Sequence, residues 1–172
     1  MRYFTRGFAN GELSDQEVEA VHRAYAERLR TIETALPDAM KALRDGPSLH
    51  DAILERVRWG PSTGNLVIAF VAGTSETGYK TVSLTYRGAM LGAQRVSAVQ
   101  RIARDRETCV LFQELDAESD STLVHRLLFW PTEEVTIDYR GLDYAVVPRA
   151  DARVFLGDAF VLLGDDEGAE TE

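Results

Sequence analysis

The chain has 172 residues, of which 45% are hydrophobic and 27% are charged, and this composition argues for one ordinary globular domain and against a disordered protein. The net charge of −9 repels phosphate backbones and anionic lipids, so nucleic acids and membrane surfaces are disfavoured as partners. No stretch approaches the roughly 18 apolar residues of a membrane span, and no secretion signal is present, so we expect a soluble cytoplasmic protein.

The first predicted element is a long amphipathic helix that begins at Ser14. Ser14 and Glu17 have the spacing of a capping box, in which each side chain satisfies a free backbone N–H group at the start of a helix. Mostly apolar side chains then recur at alternating steps of four and three residues and form one stripe. We expect this stripe to cover one face of a sheet. Its members are Val18, His22, Tyr25, Leu29, Ile32 and Leu36.

Two short segments flank this helix. Before it, three aromatic side chains in residues 2–8 predict either a short edge strand or an aromatic plug beneath the helix, and the sequence leaves both open. After it, Pro37 favours the start of a short second helix over residues 38–45, and Gly46-Pro47 ends that helix. The three aromatic residues are Tyr3, Phe4 and Phe8.

After the second helix, the hydrophobic pattern changes to alternation of every other residue, which is typical of strands with one buried face. Short turns that contain glycine join these segments and favour neighbouring antiparallel strands. Two stretches stay open: residues 88–107, where Val96, Val99 and Ile102 fit one helix face, and residues 152–163, which form either a strand pair or a docked helix. The predicted strands span 49–58, 66–72, 79–87, 108–116, 123–130, 134–139 and 144–147.

This order of elements predicts an α+β fold, in which the long N-terminal amphipathic helix and the short second helix pack on a largely antiparallel β-sheet. We assign residues 1–164 to a single domain, because no linker or internal repeat divides the sequence. Its helical part is 1–46 and its β-rich part is 47–164. Residues 165–172 are acidic and contain too little apolar surface to pack, so we expect a disordered tail.

Two histidines are the candidate site residues. His50, followed by Asp51, starts the first predicted strand, and histidine can act as a base or a metal ligand. Neighbouring strand residues point to opposite faces, so the alternative is that this pair pins the helix–sheet junction. His125 lies on an apolar strand face, where the alternative is a core histidine. If both histidines face one cavity with Glu114 or Asp138 nearby, they form a pocket for catalysis or for a divalent metal.

No sequence motif supports such a pocket. The sequence contains neither His-x-x-x-His nor Cys-x-x-Cys, and it has no phosphate-binding loop or Gly-x-Ser-x-Gly element. Glu114, Asp116, Glu118 and Asp120 alternate as they would along one strand face, but the glycine and the final glutamate of a calcium loop are missing. The single cysteine, Cys109, precedes an apolar run and is expected to be a buried side chain.

Three segments together resemble a family of bacterial domains of unknown function over most of the sequence. They are Met-Arg-Tyr-Phe-Thr at 1–5, Ser-Leu-His-Asp-Ala at 48–52 and His-Arg-Leu-Leu-Phe at 125–129. The sequence is also loosely similar to the small acidic α+β proteins of bacterial toxin-immunity and contact-inhibition neighbourhoods. The resemblance implies a bacterial cytoplasmic binding protein and assigns no catalytic residue.

We therefore expect a non-enzymatic protein-binding module, of the immunity or inhibitor kind, that has no cofactor and an acidic surface suited to a basic protein partner. Two alternatives stay open. One is a metal-dependent enzyme or ligand-binding protein with a pocket around His50 and His125. The other is a structural subunit of a homo-oligomer, such as a homodimer that pairs through the helix stripe.

Overall fold

The structure is a computed structural model that describes residues 1–119, 121–153 and 160–162. Asp120, the predicted tail 165–172 and much of the open stretch 152–163 lie outside the described residues. The helices are α1 Arg6–Ala9, α2 Asp15–Ile32, α3 Asp38–Asp45 and α4 Ala93–Arg104. The strands are β1 Ile53–Gly60, β2 Asn65–Thr74, β3 Gly78–Arg87, β4 Val110–Ser119, β5 Thr122–Phe129, β6 Glu134–Tyr139, β7 Gly141–Arg149 and β8 Phe160–Leu162.

The strands form two sheets, one of five strands in the order β7-β3-β2-β1-β8 and one of three in the order β4-β5-β6. Neighbouring strands are antiparallel, except that β8 runs parallel to β1. The α+β class with antiparallel pairing is confirmed. The predicted strands do not form one sheet. Helix α4 follows β3 in the chain, and β4, which comes after it, belongs to the second sheet. Isolated bridges at Ile53–Cys109 and Met90–Asp138 join the two sheets.

A continuous hydrophobic core lies between the sheets. On β3, Val82, Leu84 and Tyr86 are buried while the intervening residues are half-buried, as the alternation predicts. Leu115 of β4 and Ile137 of β6 enter the same cluster from the three-stranded sheet. Helices α3 and α4 close it with Met40, Leu43, Ala98, Val99, Ile102 and Ala103. The core therefore draws on both predicted parts of the protein, and the open stretch 88–107 contains a helix.

Helix α2 begins as predicted. The Ser14 side chain accepts a hydrogen bond from the Glu17 N–H, and the Glu17 carboxylate accepts one from the Ser14 N–H at 2.8 Å. The predicted stripe is buried only at its C-terminal end, where Ile32 and Leu36 are buried and Leu29 packs against the core. The middle of α2 instead makes polar contacts with the edge strand β4. None of the helices in residues 1–119 and 121–153 has both the length and the apolar character needed to cross a membrane.

Of the two alternatives for residues 2–8, the structure contains the aromatic plug. Phe4 is buried, its ring stacks on Phe112 of β4 with centroids 5.3 Å apart, and it meets the Tyr25 ring edge-on at 5.1 Å. His22 is exposed and contacts the Phe4 ring at 5.5 Å, so this end of the stripe lies over the plug. The plug thus fills the space between α2 and the first residues of β4.

One predicted strand boundary is wrong in a way that affects the site. Residues 49–51, predicted as the start of a strand, include a turn, and β1 begins at Ile53. Asp51 has a φ of 61°, in the left-handed region that residues with a Cβ rarely adopt. No glycine marks this reversal in the sequence, so the alternation pattern continues through it without a visible break. The turn places His50 at the surface.

Candidate functional site

The two candidate histidines lie in different environments. His50 lies in the turn between α3 and β1, and its side chain is 55% exposed. His125 lies in the middle of β5 and is fully buried, and it lines neither of the two clefts to which His50 contributes. Gln113 of β4 connects the two places, because it lines one of these clefts and its Oε1 lies 3.0 Å from His125 Nε2. The two histidines therefore do not line one pocket: His50 lies at the surface, His125 lies in the core, and Gln113 lies between them.

The two candidate carboxylates are engaged by other groups. Glu114 is fully buried, and its side chain accepts hydrogen bonds of 2.6–3.0 Å from the backbone N–H groups of residues 2–4. Asp138 pairs with Arg95 of α4 at 2.5 Å. Among the described residues, no three His, Cys, Asp or Glu side chains are grouped so that they could hold a metal ion. Glu114 and Asp138 therefore support the packing of the N-terminal segment and of α4.

The alternating carboxylates of β4 do share one strand face, where an arginine bridges them. The Arg126 guanidinium lies 3.8 Å from Glu114, 3.2 Å from Asp116 and 3.1 Å from Glu118. Arg28 of α2 adds a contact of 2.8 Å to Asp116. Burial raises the pKa of the Asp116 carboxyl, but hydrogen bonds from Arg28 and Arg126 outweigh this and hold the pKa below its ordinary value. This network joins α2 to the three-stranded sheet.

Both ring nitrogens of His125 are hydrogen-bonded. Nδ1 lies 2.7 Å from the Tyr86 hydroxyl, and Nε2 lies 3.0 Å from Gln113 Oε1. Burial lowers the pKa of His125 to about 3, so the ring is neutral and carries one hydrogen. The carboxamide oxygen of Gln113 can only accept, so this hydrogen is on Nε2 and the Tyr86 hydroxyl donates to Nδ1. His125 is thus a satisfied core histidine in one tautomer, which was the alternative interpretation of its position.

We expect His125 to make the stability of the protein depend on pH. Its pKa is about 3 in the fold, against an ordinary value of 6.5. Between these values the unfolded protein binds a proton that the folded protein does not, so stability is full above 6.5 and decreases as the pH falls, by up to about 1.4 kcal/mol per pH unit. Urea unfolding at several pH values between about 7 and 5, above the range of ordinary carboxylates, measures this slope.

Two variants assign that slope to one residue. His125→Gln keeps hydrogen-bonding groups in the core but cannot titrate, so it should flatten the dependence in this range. His22→Gln replaces an exposed histidine and should keep the wild-type slope. An unchanged slope in His125→Gln would show that the pH dependence arises elsewhere.

The surface around His50 contains two adjoining clefts. The first, which we call the β4 cleft, has a volume of about 480 Å³. The second, the hairpin cleft, has a volume of about 360 Å³ and lies against the β2–β3 hairpin. Ser48 and His50 line both clefts and form the wall between them. The β4 cleft is lined by Ser48, His50, Leu111, Phe112 and Gln113, and the hairpin cleft by Pro47, Ser48, His50, Asp51, Gly73, Thr74, Thr77, Gly78 and Lys80.

The imidazole of His50 is oriented by the backbone of β4. Its Nδ1 lies 2.6 Å from the carbonyl oxygen of Leu111, which can only accept, so Nδ1 is the donor. Nε2 lies 3.7 Å from Oδ2 of Asp51, and both side chains are exposed. The expectation that these two side chains point to opposite faces does not hold, because strand alternation does not apply in a turn. The backbone N–H of Asp51 also donates to the Val110 carbonyl at 2.8 Å, which fixes the turn to β4.

Side chains of α2 form hydrogen bonds with several backbone groups on the free edge of β4. The Tyr25 hydroxyl accepts from the Leu115 N–H at 2.7 Å and lies 3.5 Å from the Leu115 carbonyl. Arg28 donates to the Ala117 carbonyl at 2.7 Å. The backbone groups of Gln113 point the same way as those of Leu115, two residues on, and have no partner among the described residues. The edge is therefore open at one residue, and that residue lines the β4 cleft.

A family model for DUF4085, described as a protein of unknown function, matches residues 11–139. The chain belongs to the DUF4085 family. This confirms the expected membership of a family of domains of unknown function, and the match includes every residue that lines the two clefts but begins after the aromatic segment at residues 1–5. No curated protein and no solved structure gives a significant match.

The single cysteine of this DUF4085 protein lines neither cleft. Cys109, expected to be buried, is half-buried at the bridge to β1, and burial together with the negative charge of Asp51 raises the pKa of its thiol. A raised pKa leaves the thiol protonated near neutral pH, where it is a poor nucleophile. Sequence reasoning missed Gln113, because its role depends on strand order and on Tyr25 and His50, which come from distant parts of the sequence.

Proposed function

We propose that this DUF4085 protein is a non-enzymatic protein-binding domain that holds an extended segment of a partner protein in the β4 cleft. The observation that supports it is the backbone N–H and carbonyl of Gln113, which have no partner among the described residues and lie between edge positions that are capped from within the protein itself. Unpaired groups on a strand edge are a template for another backbone. Here the template is restricted to one residue, which limits uncontrolled pairing while leaving a place for a specific partner.

Phe112 gives this cleft a rigid apolar floor. Its ring stacks on Phe4 at 5.3 Å, meets Phe8 edge-on at 5.2 Å and lies 5.8 Å from the His50 ring. A side chain that is already held on several sides loses little freedom when a ligand binds, so preorganisation favours affinity. An apolar side chain of the partner, next to the residue paired with Gln113, can pack on this ring.

The kind of partner and its cellular setting are proposed from the net charge and the sequence resemblance of the whole protein. We propose a partner that is basic overall, which the net charge of −9 supports, since complementary charge speeds encounter. The resemblance to toxin-immunity proteins supports a bacterial cytoplasmic setting and an inhibitor-like role. The helical part supports the cleft in this proposal, because α2 supplies the Tyr25 cap and the turn after α3 carries His50.

The alternatives have less support. A metal site shared by His50 and His125 would require breaking one of the two hydrogen bonds of a buried neutral ring that lines neither cleft. A homodimer joined through the α2 stripe lacks its main argument, because Ile32 and Leu36 are buried in the core of the same molecule and Leu29 packs against it.

Affinity selection of random hexapeptides tests the proposal. The library contains every sequence both with a free C-terminal carboxylate and with a C-terminal amide, so that binding does not depend on either ending. We expect the purified protein to retain a defined set of peptides. In Ser48→Trp, the indole ring projects from the wall of the β4 cleft and occupies the space of the peptide. We expect the affinity for these peptides to fall by at least about tenfold, since buried contact area and the hydrogen bonds to Gln113 are both lost.

Ser62→Trp is the matched control, because Ser62 is also an exposed turn serine but lines neither cleft. It should bind the selected peptides as the wild type does. A library that yields no retained peptide, or peptides that bind both tryptophan variants equally, would contradict the proposed function.

A further inference from the structure

The side chain of Gln113 has a fixed orientation. Its carboxamide oxygen faces the core and accepts from Nε2–H of His125 at 3.0 Å. Because that oxygen can only accept, His125 carries its hydrogen on Nε2, and the Tyr86 hydroxyl, 2.7 Å from Nδ1, is the donor to that nitrogen. The amino group of Gln113 makes no hydrogen bond within the described residues, and it is not among the side-chain atoms there that are sealed from solvent without a partner. It is therefore available to a ligand in the β4 cleft.

Gln113 consequently offers two donors and one acceptor at the open edge. The donors are its backbone N–H and its side-chain amino group, and the acceptor is its backbone carbonyl oxygen. The last residue of a polypeptide has the matching set, namely a carboxylate that accepts several hydrogen bonds and an N–H that donates one. An internal peptide residue offers one carbonyl and one N–H, so a single carbonyl oxygen must serve both donors.

The caps on either side of Gln113 also suit the end of a polypeptide. The Tyr25 hydroxyl occupies the backbone groups of Leu115, and the His50 ring occupies the carbonyl of Leu111. Only one residue of a partner can pair with the edge between these caps. A long added strand would have to displace them, whereas a C-terminal residue would not.

We propose, on the basis of the protein-binding function above, that the β4 cleft captures the C-terminal carboxylate of a partner polypeptide. The terminal residue pairs with the backbone of Gln113, its carboxylate accepts from both Gln113 donors, and its side chain lies on Phe112. His125 is a positioning residue, because its Nε2–H holds the Gln113 carboxamide oxygen and so keeps the amino group directed outward.

The charges near the cleft are compatible with an anion. Within the ranges that the structure describes, the residues that line the β4 cleft include no acidic side chain. Lys80 lines the adjoining hairpin cleft and makes no ion pair within the part of the protein that the structure describes, while Asp51 in that cleft is 75% exposed, so solvent screens its charge. The net charge of −9 slows the approach of an anion at low ionic strength, but it does not select the group that binds.

Two small probes test this proposal directly. N-acetyl-L-phenylalanine and its C-terminal amide share the aromatic side chain and the acetylated N–H and differ in the carboxylate. Each is titrated into the full-length ¹⁵N-labelled protein and followed by NMR at the backbone and side-chain amide signals of Gln113. We expect the carboxylate probe to shift both signals and to bind about tenfold more tightly than the amide, because hydrogen bonds to a charged acceptor are stronger.

Two variants separate recognition from folding. Gln113→Glu retains an acceptor for His125 but replaces the amino donor with a carboxylate oxygen, so the preference for the carboxylate probe should be lost or reversed. His125→Phe removes the N–H that holds the Gln113 carboxamide oxygen and lets the carboxamide turn over, so the preference should fall to about twofold. A purely structural His125 would lower stability and both affinities without changing their ratio.

Each outcome has a definite meaning. Equal binding of the two probes to the wild type, or an unchanged preference in Gln113→Glu, overturns the carboxylate proposal. The mixed hexapeptide library can still yield amidated ligands in that case, so the protein-binding function would survive. If His125→Phe does not fold, the Gln113→Glu ratio alone decides, because Gln113 is only half-buried.

Discussion

Glu114→Gln is expected to lower the free energy of unfolding by about 3 kcal/mol, because it leaves buried backbone donors with a poorer acceptor and removes the charge near Arg126. The carboxylate is fully buried and accepts from the N–H groups of residues 2–4. A glutamine has one oxygen to serve these donors, and its amino group would face at least one of them. Urea unfolding measures the loss, and a melting temperature lower by about 6–12 °C should accompany it.

Glu118→Gln is the matched control for this change. Glu118 contacts the same Arg126 guanidinium at 3.1 Å but is 54% exposed, so its loss should be below about 1 kcal/mol. Hydrogen exchange adds a local test. In Glu114→Gln, the amides of residues 2–4 should exchange much faster, because the aromatic plug is no longer tied to β4, whereas Glu118→Gln should leave them protected. Similar losses of stability in the two variants would show that the buried carboxylate has no special role.

The parts of the fold that could be predicted are those that local patterns determine. The capping box at Ser14 gave the start of α2, Pro37 and Gly46 bounded α3, and the alternation gave β6 with both ends correct. Each of these signals lies within a few residues of the structure that it specifies. The division into two sheets could not be predicted in this way, because it depends on which distant strands pair after α4.

The site was harder to predict for the same reason. The pattern extended the first strand through His50, although the left-handed Asp51 reverses the backbone there without a glycine to mark it. Glu114 looked like a metal ligand, yet its partners are backbone groups more than 100 residues away in sequence, at residues 2–4. The link from Gln113 through His125 to Tyr86 joins three strands, and no spacing in the sequence indicates it.

The junction between α3 and the cleft depends on the absence of a side chain at Gly46. A Cβ at this position would overlap the Tyr144 hydroxyl and lie 2.6 Å from the backbone oxygen of Ala42. The Tyr144 ring could move, but the Ala42 carbonyl belongs to α3 and cannot shift without distorting the end of that helix. We therefore expect Gly46→Ala to lower the free energy of unfolding by about 3 kcal/mol.

A second change and a control define the cause. Tyr144→Phe removes a buried hydroxyl that has no partner among the described residues, so alone it should change stability by less than about 1 kcal/mol. Combined with Gly46→Ala it should recover less than half of the loss, because the overlap with Ala42 remains. In the control Gly141→Ala, the new Cβ would contact only the flexible Arg87 guanidinium, at 3.1 Å, so the stability of the protein should hardly change.

Since Gly46 precedes the turn that carries His50, Gly46→Ala should also weaken peptide binding in the β4 cleft. Equal stability of Gly46→Ala and Gly141→Ala would disprove the close approach of Tyr144 and α3.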